Sequence, residues 1–117
     1  MKTPMETITR YVETCRNGDA DSLRKLFAQG AMMCGFFDGE FYIGAPDTFF
    51  NEVRNEPSPS ISGEEYVGEI ITGEVINKIA NVTLEETNYL GSDYTIIFQL
   101  ACINDSWLIV SKTYIDE

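Results

Sequence analysis

Ser92-Asp93-Tyr94-Thr95-Ile96-Ile97-Phe98-Gln99-Leu100-Ala101-Cys102-Ile103-Asn104-Asp105-Ser106-Trp107-Leu108-Ile109-Val110-Ser111-Lys112 decides the fold. Two runs rich in β-branched and aromatic residues flank Asn104-Asp105, a pair suited to the left-handed backbone of a two-residue hairpin turn. With that turn, Cys102 faces Trp107, Leu100 faces Ile109, Phe98 faces Ser111 and Ile96 faces Thr113 across the ladder. This face is largely apolar. The other face pairs Ala101 with Leu108, Gln99 with Val110 and Ile97 with Lys112, and it is also too apolar to be left fully in water. Both faces of the sheet therefore need cover.

Moving outward, the two-residue period extends back to Tyr66 and predicts strands near 66–76, 78–88, 94–103 and 106–115. No helix interrupts them, so they form an antiparallel meander. The N-terminal half reads differently. Thr3-Pro4-Met5-Glu6 has the form of a capping box with proline at the first helical position, and Met5, Ile8, Val12 and Cys15 repeat at helical spacing to about Arg16. Asn17-Gly18 stops that helix, and Asp19 or Asp21 caps a shorter one carrying Leu23, Leu26 and Phe27. Ala31 to Phe37 and Glu40 to Ile43 form a hairpin about Asp38-Gly39. Ala45-Pro46-Asp47 opens a third helix with Phe49, Phe50 and Val53, and Pro57-Ser58-Pro59-Ser60 is a loop. Helices first and sheet last make an α+β layout, in one domain spanning 1–117.

At 117 residues and 44% hydrophobic content, the chain can bury a sizeable core. A net charge of −11 with only eight basic residues argues against nucleic-acid and anionic-membrane partners, which are attracted by clustered Lys and Arg. Three cysteines and no histidine exclude a Ser-His or Cys-His nucleophile and make a disulfide framework or zinc site unexpected. Neither GxGxxG nor GxxxxGK[ST] occurs, and no cofactor or metal is expected. No apolar run is long enough for a leader or a membrane span, so a cytoplasmic protein is the expectation.

Several features together resemble the nuclear transport factor two-like superfamily, which includes ketosteroid isomerase and the SnoaL-like cyclases. They are Tyr11 followed by Asn17-Gly18-Asp19, Leu23, Leu26-Phe27-Ala28, Ala31, Gly39 to Gly44, Asp93-Tyr94, Leu100, Asp105, Trp107, Ile109-Val110 and Lys112. The C-terminal part is similar to the branch labelled "putative lumazine-binding". The resemblance implies a cone-shaped fold, with three N-terminal helices packed on a curved, mainly antiparallel sheet around a conical pocket. It also implies a homodimer through the outer sheet face. A scaffold of this kind hosts isomerases, cyclases, dehydratases and pure binding modules, so function does not follow from it.

An isomerase-like site needs a carboxylate base near the first hairpin and donors aimed at a developing enolate. The resemblance puts Tyr11 where a donor tyrosine sits, but it puts Gly35 at the base position and apolar Ile96-Ile97-Phe98 at the sheet aspartate. Steroid isomerase activity is therefore not expected. Glu86 is the other candidate. With 78–88 paired to 94–103 through a loop of Tyr89 to Asp93, it faces inward opposite Ile96 and beside Thr113, whereas a one-residue slip turns it to solvent. Lys112 falls on the outer face, and Arg54 lies beside the stripe of the third helix. With no cation inside the cone, a strongly anionic ligand is disfavoured.

Three function classes fit these residues. One is a dimeric binder of a small apolar or aromatic ligand, with its pocket lined by Tyr11, Phe36, Phe49, Phe50, Phe98 and Trp107, the Tyr11 hydroxyl orienting the ligand and Glu86 as a second polar contact. A second is an isomerase, cyclase or dehydratase using Tyr11 and Glu86. The third is a protein-interaction module whose cone is filled by its own side chains.

Overall fold

The computed structural model describes residues Met1–Glu117. Helix α1 runs from Pro4 to Asn17, with the Thr3 side chain accepting from the Glu6 amide and Gly18 (φ 66°) closing it in the left-handed conformation. Asp19 accepts from the Ser22 amide and caps α2, Ala20–Arg24. Strands β1 (Phe27–Phe37) and β2 (Glu40–Gly44) precede α3 (Asp47–Asn55) and α4 (Pro59–Ser62). Strands β3 (Val67–Ile76), β4 (Ile79–Tyr89), β5 (Ser92–Ile103) and β6 (Ser106–Asp116) complete the chain. Their six-stranded order is β2-β1-β6-β5-β4-β3.

The predicted meander is present as β3 to β6, and α1 to α3 stand where the sequence puts them. Asp38-Gly39 and Asn104-Asp105 both take positive φ, the conformation required by two-residue turns. The predicted five-residue loop from Tyr89 to Asp93 is instead a two-residue turn at Leu90-Gly91, also with positive φ. Pro57 to Ser60 is not wholly a loop, because Pro59 starts the single turn of α4. Phe27 leaves the second helix and starts β1, since the Leu26 carbonyl accepts from the Ile109 amide and Phe27 pairs with Ile109. The β1–β6 pairing is parallel, which makes the sheet mixed.

The largest departure is in the hairpin that reads most clearly. From Ile103–Ser106 to Leu100–Ile109 the expected register holds, but Gln99 pairs with Ser111, Phe98 with Lys112 and Ile97 with Thr113. Val110 is the extra residue of a β-bulge, so the alternation beyond it changes phase. Lys112 moves from the predicted outer face to the inner one. It is 5% exposed.

The core is one cluster of 23 buried residues between the helices and the inner sheet face, including Ile8, Leu23, Phe50, Val82, Phe98 and Ile109. Gly68 lets α1 lie close to β3: a β-carbon there would come within 2.6 Å of the Val12 side chain. No helix is long and apolar enough to cross a membrane.

Candidate functional site

At the end of the cone away from the Asn104-Asp105 turn, the core does not close. A cavity of about 410 Å³ remains, lined by Met33, Phe37, Tyr42, Thr48, Phe49, Glu52, Glu86, Tyr89, Tyr94, Ile96, Lys112 and Tyr114. Each strand on its floor contributes inward-facing residues: β1 gives Met33 and Phe37, β4 gives Glu86 and Tyr89, β5 gives Tyr94 and Ile96, and β6 gives Lys112 and Tyr114. Glu86 and Tyr89 are an odd number apart yet share a face, because a second register shift falls between them, where Asn88 has φ 57°. Helix α3 supplies Phe49, Thr48 and Glu52 from above. Thr48 donates to the Tyr42 hydroxyl at 3.1 Å, and Tyr42 donates to the Ala45 carbonyl at 2.9 Å, which fixes the tyrosine at one wall.

Lys112 is the only Lys or Arg on this lining. Its Nζ lies 3.5 Å from the centroid of the Phe49 ring, 5.4 Å from that of Tyr11 and 5.5 Å from that of Tyr114. The three ion pairs of the protein, Arg10–Glu13, Arg24–Asp47 and Arg54–Asp21, are at the surface and do not involve it. Every fully occluded side-chain polar atom has a partner, so the unpaired Nζ meets the open space of the cavity. Burial drives the Lys112 pKa below its usual value, and the nearby Glu86 carboxylate only partly opposes this.

Glu86 is 3% exposed and accepts a hydrogen bond from the Tyr66 hydroxyl. Burial raises its pKa, against the opposing pull of Lys112 and of the Tyr66 bond. Each member of the pair is thus pushed toward its neutral form, and the two share a cavity without ion-pair contact. Such an arrangement can offer a proton donor and an acceptor to one bound molecule.

Of the residues expected at the site, Phe49 and Glu86 line the cavity. Glu86 is opposite Tyr94 rather than Ile96, because the turn after β4 is tighter than expected by one register step and the shift between Glu86 and Tyr89 adds another. Tyr11 is 0% exposed and does not reach the lining; it stacks on Phe49 at 6.0 Å. Phe50, Phe98 and Trp107 belong to the packed core beneath. Phe36 is on the opposite face of β1, 44% exposed and against Phe41. Arg54 is outside, bound to Asp21. Sequence reasoning missed Lys112 and the tyrosines Tyr42, Tyr89, Tyr94 and Tyr114. The tyrosines carried a signal, as polar-tipped aromatics on strands, but the bulge that turns Lys112 inward has no residue signature.

Gly35, where the resemblance places a catalytic base, has no room for a side chain. A β-carbon there would collide with the Tyr114 carbonyl oxygen and lie 2.7 Å from the Tyr114 ring. The space is occupied by the residue that frames Lys112.

A family model described as "Putative lumazine-binding" matches residues 2–115. The chain belongs to that family. Among solved structures, an NTF2-like protein of unknown function from Shewanella baltica is similar at a TM-score of 0.86 and 23% identity, over 97% of this chain and 90% of that one. Another from Silicibacter pomeroyi gives 0.85 and 22%, over 97% and 92%. An NTF2-like protein with a cystatin-like fold from Novosphingobium aromaticivorans gives 0.68 and 13%, over 93% and 76%. No curated protein matches the chain. At these identities the structural likeness establishes the nuclear transport factor two-like α+β fold, which agrees with the resemblance read from the sequence, and family membership makes a ligand-binding role the coarse functional statement.

Proposed function

We propose that this member of the family binds a small, planar cyclic molecule in the cavity and presents Lys112 to a carbonyl-type or singly ionised oxygen on it. The observation that carries the reading is the buried amine of Lys112, which has no acceptor in the protein and opens onto an aromatic-lined space. An N–H donor held out of water without an acceptor is costly, and a ligand oxygen removes that cost and favours the protonated amine. Glu86, steadied by Tyr66, is the complementary group for a ring N–H or hydroxyl. About 410 Å³ suits a molecule of one or two fused rings. A pteridine dione has ring carbonyls beside N–H groups, so the family's description and this donor–acceptor pair support the same ligand type.

The expectation that anions are disfavoured rested on a cone without a cation, and Lys112 removes that basis for singly charged ligands. Multiply charged anions still meet Glu86, Glu52 and a background of −11. Homodimerisation through the outer sheet face belongs to the same proposal. That face exposes Ile97, Phe36, Phe41, Ile43 and Ile115, an apolar surface of the kind that a second copy covers. The test is a thermal-shift survey of oxygen-bearing planar heterocycles, aromatic monocarboxylates, matched hydrocarbons and multiply phosphorylated metabolites. The first two classes are expected to raise Tm. Stabilisation only by the phosphorylated set, or by nothing, overturns the reading.

A further inference from the structure

We propose that Lys112 Nζ is a nucleophile that condenses with an aldehyde or ketone held in the cavity to form an imine. The inference rests on the same cavity as the proposed binding function, but it does not depend on which heterocycle binds there.

Three features of the geometry point to it. The amine is at the end of an inward-facing side chain, with aromatic rings at 3.5, 5.4 and 5.5 Å and no protein acceptor to hold it as an ion pair. It opens onto a space large enough for a carbonyl compound carrying an aromatic ring. Glu86 lines that space too, and its carboxyl is oriented by Tyr66. A lysine desolvated among apolar groups is one of the recognised ways of activating an amine toward carbonyls. The burial that lowers the Lys112 pKa leaves more of the neutral, reactive form near neutrality.

The step balances without a further reagent. The Nζ lone pair attacks the carbonyl carbon, the π pair moves to oxygen, and a proton passes from the now positive nitrogen to that oxygen to give a neutral carbinolamine. Glu86 then donates a proton to the carbinolamine hydroxyl, which leaves as water, and regains one from nitrogen as the C=N bond forms. The aromatic faces that surround Nζ would also stabilise an iminium cation.

The test treats the full chain with benzaldehyde and sodium cyanoborohydride near neutral pH, which reduces any imine to a stable benzylamine, and maps the modified peptides. The chain's other lysines, Lys2, Lys25 and Lys78, are all exposed and serve as internal controls. Lys112 is expected to be labelled at least about tenfold faster than any of them, because the cavity holds the aldehyde against an amine that burial keeps more often unprotonated. Lys112→Met should lose that fast phase while retaining the wild-type circular dichroism spectrum. The wild-type map decides even if that variant unfolds. Labelling confined to the exposed lysines, or equal at all four, overturns the proposal. If a heterocycle binds but Lys112 stays unlabelled, the imine falls and the binding function stands; if Lys112 labels fast but no heterocycle binds, the imine stands and the binding function falls.

Discussion

The Glu86 carboxyl is buried on β4, bonded to Tyr66 and near Lys112, Tyr89 and Tyr94, and its pKa is raised above the ordinary value of 4.5 by loss of water. The folded state therefore holds the proton more tightly than the unfolded chain does. Below pH 4.5 both states are protonated and the group's contribution to stability is fully present. Above it, the unfolded chain releases the proton first, so the stabilisation is lost as pH rises through the folded pKa. Lys112 acts in the opposite sense on the alkaline side. Its folded pKa is depressed, so its contribution is present above 10.5 and is lost as pH falls through the folded value. Replacing Glu86 with Gln keeps an acceptor for Tyr66 but removes the titration. Thermal melts of both proteins from pH 4 to pH 8 should show wild-type Tm falling relative to Glu86→Gln as pH rises, and parallel curves would contradict the assigned burial. Glu86 was legible in the sequence as an inward candidate because its alternation with Leu84, Val82 and Ala80 holds. Lys112 was not, since its side is set by a bulge and not by alternation.

Among the elements, the parallel junction of β1 with β6 carries the site, because it brings Met33 and Phe37 alongside Lys112 and Tyr114. It depends on Gly35. With the Tyr114 ring 2.7 Å from the place a β-carbon would occupy, and the Tyr114 carbonyl oxygen closer still, Gly35→Ala must push the two strands apart. Overpacking of this kind costs about 1–3 kcal/mol. Urea unfolding should show that loss with an unchanged m-value, and a wild-type midpoint would mean the strands are not so close. The turns and helix caps were readable in advance because Asp38-Gly39, Asn104-Asp105, Thr3 and Asp19 state their conformations chemically. The parallel pairing was not readable, as it joins residues about 80 positions apart through contacts that no local pattern encodes. The Val110 bulge was hidden for a related reason: both the bulged and the regular ladders bury Trp107 and Ile109, and they differ only in the residues from Ser111 onward.

At the scale of the whole molecule, the sheet has two apolar faces and the helices cover one. Ile97 is 48% exposed at the centre of the uncovered face. Sedimentation equilibrium at micromolar concentration is expected to give a dimer, and Ile97→Glu, which would set like charges against each other across a two-fold interface, should give a monomer. A wild-type monomer would contradict this. The overall α+β plan was readable because helical and strand periods occupy separate halves of the chain. Whether the cone was open or filled was not, since a cavity is what packing leaves over and its lining comes from several separate elements.

The proposed hold of Lys112 on a ligand oxygen inside that opening is read by calorimetric titration of lumazine into wild type and Lys112→Met. A charge-assisted hydrogen bond, formed as the amine takes its proton on binding, contributes about 1.5–3 kcal/mol, so one saturable site per chain is expected in wild type and affinity weaker by at least about tenfold in the variant. Equal affinity in the two proteins, or no binding to wild type, would contradict it.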